Sequence, residues 1–250
     1  MTEKVLYEEL TPKEFLERLE QAPIAYLPMG TLEWHGAHLP LGSDGLQSRG
    51  IFVEIAKRVG GMVLPMLFVG PDRHKTTDDG KELYGMDICR CEAYRAYPDQ
   101  QLPGSAYWVE EDLYVRLLES IFTRLKRAGF KIVVAHGHGP CCKLVQSRTQ
   151  EWERKFGLKF FTCWREKETD GQGFQVDHAG ANETSLVMAL RPDLVQMENL
   201  DPDPNVFPLA TGPLDARKHA SPELGAELMQ THSDRMTELL TQALHNIKET

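Results

Sequence analysis

Glu33, His35, His38 and Asp44 fall within twelve residues, in the stretch Gly30-Thr31-Leu32-Glu33-Trp34-His35-Gly36-Ala37-His38-Leu39-Pro40-Leu41-Gly42-Ser43-Asp44. Carboxylates and imidazoles are the side chains that hold zinc, manganese and related divalent ions. Two of each are enough to begin a metal site. One carboxylate can also bridge two ions, the arrangement that assembles a hydrolytic nucleophile. Ordinary turn chemistry is the bland explanation of any polar loop, but two further clusters weigh against it. Ala135-His136-Gly137-His138-Gly139-Pro140 follows an apolar run, and Asp177-His178-Ala179-Gly180-Ala181-Asn182-Glu183-Thr184-Ser185 enters a helical pattern. Three such clusters, each beside glycine, are hard to explain by packing.

The elements that must position these residues alternate between helix and strand. Thr11-Pro12 reads as N-cap and first helical position, and Glu14 completes a capping box. Ile24 to Pro28 reads as a short buried strand that runs straight into the first cluster, which puts Glu33 and His35 in the loop beyond its carboxyl end. Open α/β sheets bind ligands at that edge. Leu46 to Val59 has helical spacing and ends at Gly60-Gly61. Met62 to Pro65 is a plausible second strand. Residues from about Gly70 to Trp108 read as irregular, and a loop of that length in a compact domain is usually functional. Val109 to Ala128 carries a broad apolar helical stripe closed by Gly129. Lys131 to Ala135 reads as a strand, Lys143 to Trp152 as a helix, and Leu158 to Thr162 as a strand. Glu183 to Leu190 reads as a helix, and a last helix starts at Ser221-Pro222-Glu223. This alternation argues for a parallel sheet covered on both faces.

A chain of 250 residues, 41% hydrophobic and 26% charged, can bury a large core as one α/β domain. A formal net charge of −9 disfavours nucleic acid as a partner. No stretch reads as a membrane span or as an apolar signal core, so the expected location is the cytoplasm. The five cysteines are an odd count and form no disulfide framework. They read as reduced thiols without catalytic duty, although Cys141 lies close enough to His138 to line a pocket.

Together the clusters resemble the creatininase (creatinine amidohydrolase) family. Its members carry Glu-x-His-Gly-x-His-Leu-Pro followed by Asp, a strand ending in Asn-Gly-His-Gly-Gly-Asn, and His-Ala-Gly-x-x-Glu-Thr-Ser. The first and third are matched in full here. Leu102-Pro103-Gly104-Ser105 is similar to the family's Phe-Pro-Gly-Thr element, and Ala220-Ser221-Pro222-Glu223-Leu224-Gly225 to its Ala-Ser-x-x-x-Gly element. The resemblance spans most of the chain. It implies a three-layer α/β/α fold with a mainly parallel sheet, a homohexamer, and two divalent ions per chain, Zn2+ and/or Mn2+, that hydrolyse C–N bonds, often of cyclic amides. Matched motif by motif, it implies Glu33, His35, Asp44, His138 and Glu183 as metal ligands, with Asp44 bridging. It also implies His178 as the acid that protonates the leaving nitrogen and His38 as an indirect partner of a ligand or of substrate. That chemistry is sound, because paired ions acidify water and polarise a carbonyl while an imidazole transfers the proton.

Some residues depart from the family pattern. His136 stands where Asn is usual, and reads equally as a substrate contact, an extra ligand or a residue fixing the turn. Pro140 and Cys141 replace Gly-Asn. Creatininase itself uses a carboxylate nearer the Gly-His-Gly histidine, and this chain has none there, so Glu183 is the implied ligand at which the match to that enzyme departs. Phe174 falls where creatininase has a tryptophan over its flat substrate, with Trp164 or Trp108 as possible replacements. Arg73, His74 and Lys75 read either as contacts to an anionic or polyhydroxylated substrate, or as a solvated loop or subunit contact. Three functions follow: an amidohydrolase acting on a small polar molecule, an enzyme using the same ions to cleave or isomerise a keto-sugar or cyclitol, and a metal-dependent binding protein without catalysis.

Overall fold

The computed structural model describes residues 4–88, 97–105, 107–164 and 173–248. The pair Cys89 and Cys91, and Arg95, lie outside the described residues. Helix α1 (Pro12–Gln21) begins as its sequence dictates. The Thr11 side chain accepts from the Glu14 backbone N–H, and Glu14 accepts from Thr11 N at 2.8 Å. Strand β1 (Ile24–Met29) is buried along its whole length. Helix α2 (Ser43–Val59), strand β2 (Met62–Val63) and an antiparallel hairpin of β3 (His74–Thr76) and β4 (Glu82–Tyr84) follow. Then come α3 (Glu111–Ala128), β5 (Ile132–Gly137), α4 (Gly139–Phe156), β6 (Lys159–Phe161), α5 (Ala181–Leu190), α6 (Ala216–His219) and α7 (Pro222–Lys248).

The main sheet has the order β2-β1-β5-β6, with every pair parallel. Successive side chains of a strand point to opposite faces, and the two faces bury different helices. Ala25, Leu27, Met29, Val133 and Ala135 pack with Leu118 and Phe122 of α3 and with Val145 and Trp152 of α4. Ile24, Tyr26, Ile132 and Val134 pack with Phe52 and Ile55 of α2, Leu186 of α5, and Met236 and Leu240 of α7. This is the parallel sheet covered on both faces that the alternation argued for, and the three-layer α/β/α arrangement that the family resemblance implied.

The register brings two clusters together. Met29 at the end of β1 lies opposite Gly137 at the end of β5. Gly137 has φ 146°, and a Cβ there would lie 1.6 Å from the Met29 carbonyl oxygen, so this crossing requires glycine. The third cluster is fixed by the contact of α5 with α7. Ser221 N donates to Ser185 Oγ at 3.0 Å, and a Cβ on Gly225 would lie 1.9 Å from the Ser185 carbonyl oxygen. The Ala-Ser-x-x-x-Gly element therefore has a packing role.

Two helices start earlier than their apolar periodicity shows, α2 at Ser43 and α4 at Gly139. Their first turns are polar or glycine- and proline-rich, and so carry no apolar stripe. The extra turns put Asp44 in the first turn of α2 and make His138 the N-cap of α4. The described residues between Gly70 and Trp108 include the β3–β4 hairpin, where the sequence read as irregular. Strands of three mostly polar residues leave no periodic signal.

Candidate metal centre

The loops after β1 and β5 and the first turns of α2 and α5 converge at the carboxyl edge of the sheet. Trp34 anchors the first loop by donating from Nε1 to the Pro103 carbonyl at 2.6 Å. His35 Nδ1 lies 3.2 Å from the Glu33 carbonyl oxygen, which can only accept, so Nδ1 carries a proton. Nε2 is thereby turned to Asp44 Oδ1 at 3.3 Å and Glu183 Oε2 at 3.5 Å. His138 Nδ1 lies 3.0 Å from Asp44 Oδ2 and 3.0 Å from Glu33 Oε1. The two oxygens of Asp44 thus face two different imidazoles. His178 stacks on His35 with ring centroids 4.2 Å apart. Its Nε2 donates to the Trp34 carbonyl at 2.7 Å, leaving Nδ1 as its free basic atom, 3.8 Å from Glu33 Oε1.

Among the described residues, donor atoms that could hold an ion gather in three groups, each within 4.8 Å: Glu33, His35 and His178; Glu33, Asp72 and His138; and His35, Asp44 and Glu183. The chemistry fits a cation. Glu33, Asp44 and Glu183 are buried, and the ion pairs they make among the described residues are all with imidazoles. Buried carboxylates need a cation or protons. Burial would lower the His35 pKa, but the carboxylates of Asp44, Glu183 and Glu33 outweigh it and push it up to about 10. Burial, opposed by His35 and reinforced by Asp44, raises Glu183 to about 8. Burial would raise Asp44, yet His35 and His138 hold it well below the usual carboxylate range. Protons here occupy positions that a divalent ion would take, and ion binding would release them.

Glu33, Asp44, His138, His178 and Glu183 are among the residues that line a cavity of about 1200 Å³. Trp164 forms part of its wall. Other residues singled out from the sequence lie elsewhere. Phe174, expected over the substrate, is 0% exposed and packs its ring 5.5 Å from that of His136 and 5.8 Å from that of His232. His136, expected as a substrate contact, an extra ligand or a residue fixing the turn, does not line the cavity either. It shares strand parity with Ile132 and Val134, so its ring enters the layer between sheet and helices, where burial lowers its pKa to about 3. His38 is buried with Nε2 2.8 Å from Thr184 Oγ1, beside Glu183 in sequence rather than against the cavity. Cys141 is buried and is not part of the lining. Arg73 is committed to the loop, donating to the carbonyls of Gly85 at 2.7 Å and Ile88 at 3.1 Å.

Three further residues of the centre were not assigned a role from the sequence, although Asp177 opens the third cluster. Asp177 accepts from the backbone N–H groups of Asn182 and Glu183 at 2.8 and 3.0 Å, and so fixes the first turn of α5. Gln175, at φ 56°, donates to the Asp44 carbonyl at 3.1 Å and lines the cavity. Asp72 lies 3.2 Å from His138 Nε2 through its Oδ2. The one available signal for Asp72 was position, since it directly follows Gly70-Pro71 at the end of an apolar run.

A family model described as Creatininase, creatinine amidohydrolase, matches residues 8–240. A creatinine amidohydrolase of Pseudomonas putida is 27% identical, over 92% of this chain and 94% of its own. A 3-dehydro-scyllo-inosose hydrolase of Thermotoga maritima is 24% identical, over 84% of this chain and 64% of its own. A crystal structure of creatinine amidohydrolase (creatininase) superposes with a TM-score of 0.71 at 22% identity, covering 97% of this chain and 99% of that one. A structure described as creatininase Mn gives a TM-score of 0.70 at 23% identity, covering 96% and 99%. A glutamate-to-glutamine mutant creatininase of Zn–Zn type gives 0.71 at 23%, covering 97% and 99%.

Proposed function

Because the chain belongs to the creatininase family, we propose that it is a metal-dependent hydrolase that cleaves a C–N bond of a small polar amide, cyclic amides included. The observation that carries this reading is the division of Asp44, with Oδ1 toward His35 and Oδ2 toward His138. One carboxylate placed in this way joins two ion positions, one with His35 and Glu183 and the other with Glu33 and His138. Zinc or manganese bound there would acidify a water molecule and polarise the scissile carbonyl.

The protein's own part is positioning and proton transfer. Asp177 and the first turn of α5 hold Glu183, and the Glu33 carbonyl fixes the His35 tautomer so that Nε2 points inward. His178 Nδ1, 3.8 Å from Glu33 Oε1, is the basic atom free to take a proton and return it to the leaving nitrogen. Trp164 and the polar cavity wall receive the rest of the substrate. Assembly as a homohexamer belongs to the same reading and is tested by mass in solution.

A second reading changes the bond and keeps the donors. The similarity to the Thermotoga hydrolase favours it, since a keto-cyclitol ring presents a carbonyl that the same ions would polarise. The deciding experiment measures metal content by inductively coupled plasma mass spectrometry on protein purified without chelator, followed by a screen of cyclic amides and keto-cyclitols. About two ions per chain are expected, with both ions and turnover lost in Asp44→Ala. A wild-type protein that takes up no metal on reconstitution would overturn the proposal. Metal uptake with ligand binding but no turnover would leave a binding protein.

A further inference from the structure

His138 meets carboxylates at both ring nitrogens. Nδ1 lies 3.0 Å from Asp44 Oδ2 and 3.0 Å from Glu33 Oε1. Nε2, on the other side of the ring, meets Asp72 Oδ2 at 3.2 Å, off the axis of a straight hydrogen bond. An ionised carboxylate only accepts, so a ring nitrogen that faces it at this distance carries a proton. In a neutral imidazole the other nitrogen then holds the lone pair. For His138 that nitrogen is Nδ1, whose lone pair is aimed at two carboxylate oxygens, the setting that a cation would occupy.

The place of Asp72 is fixed by its own turn and by an indole. Its Oδ1 accepts from Arg73 N at 2.5 Å, which turns Oδ2 toward His138. The side chains of Asp72 and His138 are 3% and 4% exposed. Trp108 closes the space beside them. Its ring stands edge-on to that of His138 with centroids 5.9 Å apart, and a Cβ on Gly85 would lie 2.7 Å from Trp108 Cη2 and 2.9 Å from Asp72 Oδ2. A carboxylate shielded from water in this way attracts an N–H more strongly than an exposed one. His35 is held differently, since its Nδ1–H faces the neutral backbone carbonyl of Glu33 at 3.2 Å.

We propose that Asp72 is a positioning residue of the centre: it accepts the His138 Nε2 proton and so holds the Nδ1 lone pair toward the ion position shared with Asp44 and Glu33. Asp72 touches no ion in this arrangement, and the division of Asp44 between His35 and His138 is kept. A carboxylate behind an imidazole also makes the opposite nitrogen a stronger ligand. The two ion positions are therefore unequal, the one served by His138 having the more basic imidazole. The assignment rests on the two-ion reading above and adds to it a residue that acts through His138.

Two measurements test it, neither of which reads turnover. In zinc-loaded wild-type protein with isotope-labelled histidine, proton–nitrogen correlation spectra should show His138 protonated at Nε2, with that proton far downfield and slow to exchange. Its loss in His138→Gln assigns the resonance. Asp72→Asn keeps an oxygen for Arg73 N and removes the charge behind His138. Zinc titration of this variant against a chromophoric chelator should show one ion weakened by roughly 10–100-fold, the usual cost of losing a partner that orients a ligand, and the other bound as in the wild type. The His138 proton should move upfield in the same variant. A zinc-loaded wild type with Nε2 unprotonated would overturn the assignment and leave the two-ion reading intact. So would Asp72→Asn with both ions at wild-type affinity or with an unshifted His138 proton. A wild-type protein that takes up no zinc would overturn both.

Discussion

His178 has one ring nitrogen spent and one free. Its Nε2–H goes to the Trp34 carbonyl, so proton transfer falls to Nδ1, on the side of Glu33. Burial and the neighbouring His35 lower its pKa to about 4, so the ring is neutral at neutral pH and first acts as an acceptor. His178→Ala should therefore keep its metal content and lose turnover by roughly two to four orders of magnitude. The check is kcat on whichever substrate the screen identifies, with ions per chain measured on the same sample. Unchanged kcat would reduce His178 to a residue that braces the Trp34 loop.

At the scale of elements, the centre is made where strands end and helices begin. Asp44 and Glu183 sit in first turns, where the backbone N–H groups and the helix dipole favour negative charge. The same turns must be held rigidly, because donor positions depend on them. Helix α5 is held by α7 through the contact of Gly225 with the Ser185 carbonyl, which leaves no room for a methyl group. Gly225→Ala should force the helices apart and cost about 2–3 kcal/mol, the upper range for overpacking a well-filled contact. Thermal or urea unfolding would show it. Because α5 carries Glu183, metal affinity should fall in the same variant, which a change on an unrelated surface helix would not cause.

Across the whole molecule, the centre is a store of charge that folding must neutralise. In the metal-free protein, burial opposes and the surrounding carboxylates raise the His35 pKa to about 10, while burial raises Glu183 to about 8. Both groups hold protons that the unfolded chain gives up at lower pH. The folded state therefore holds an extra proton on Glu183 between about pH 4.5 and 8 and on His35 between about pH 6.5 and 10, and each contribution to stability is lost as pH rises through its window. Chelator-treated protein should melt at progressively lower temperature from pH 7 to 10. Saturating zinc or manganese should flatten that dependence and raise the melting temperature by several degrees, since a ligand at 100 times its Kd adds about 2.7 kcal/mol. Equal melting curves with and without metal across this range would contradict a buried ion centre. No helix among the described residues is long and apolar enough to cross a membrane, and the net charge of −9 sets the molecule against polyanionic partners.

The local signals were legible in the residues alone. Apolar runs and periodicity mark β1, β5 and α3, the Thr11–Glu14 box and Ser221-Pro222-Glu223 mark the starts of α1 and α7, and the three His-and-carboxylate clusters beside glycine mark the candidate centre, whose ligand set the family resemblance implied. These features are encoded within a few neighbours along the chain, which is why a linear reading finds them. Contacts across the fold were not legible. Phe174 read as the cover of a substrate and His136 as a substrate contact, an extra ligand or a residue fixing the turn, but β5 runs on to Gly137, and strand parity sends the His136 ring into the interior to meet Phe174. Asp72 read as part of a polar loop, yet the turn at Arg73 and the space left by Gly85 bring its Oδ2 to His138 across 66 positions of sequence. A side chain's type is a property of its codon, whereas the direction in which it points and the groups it meets come from packing that many distant residues set together.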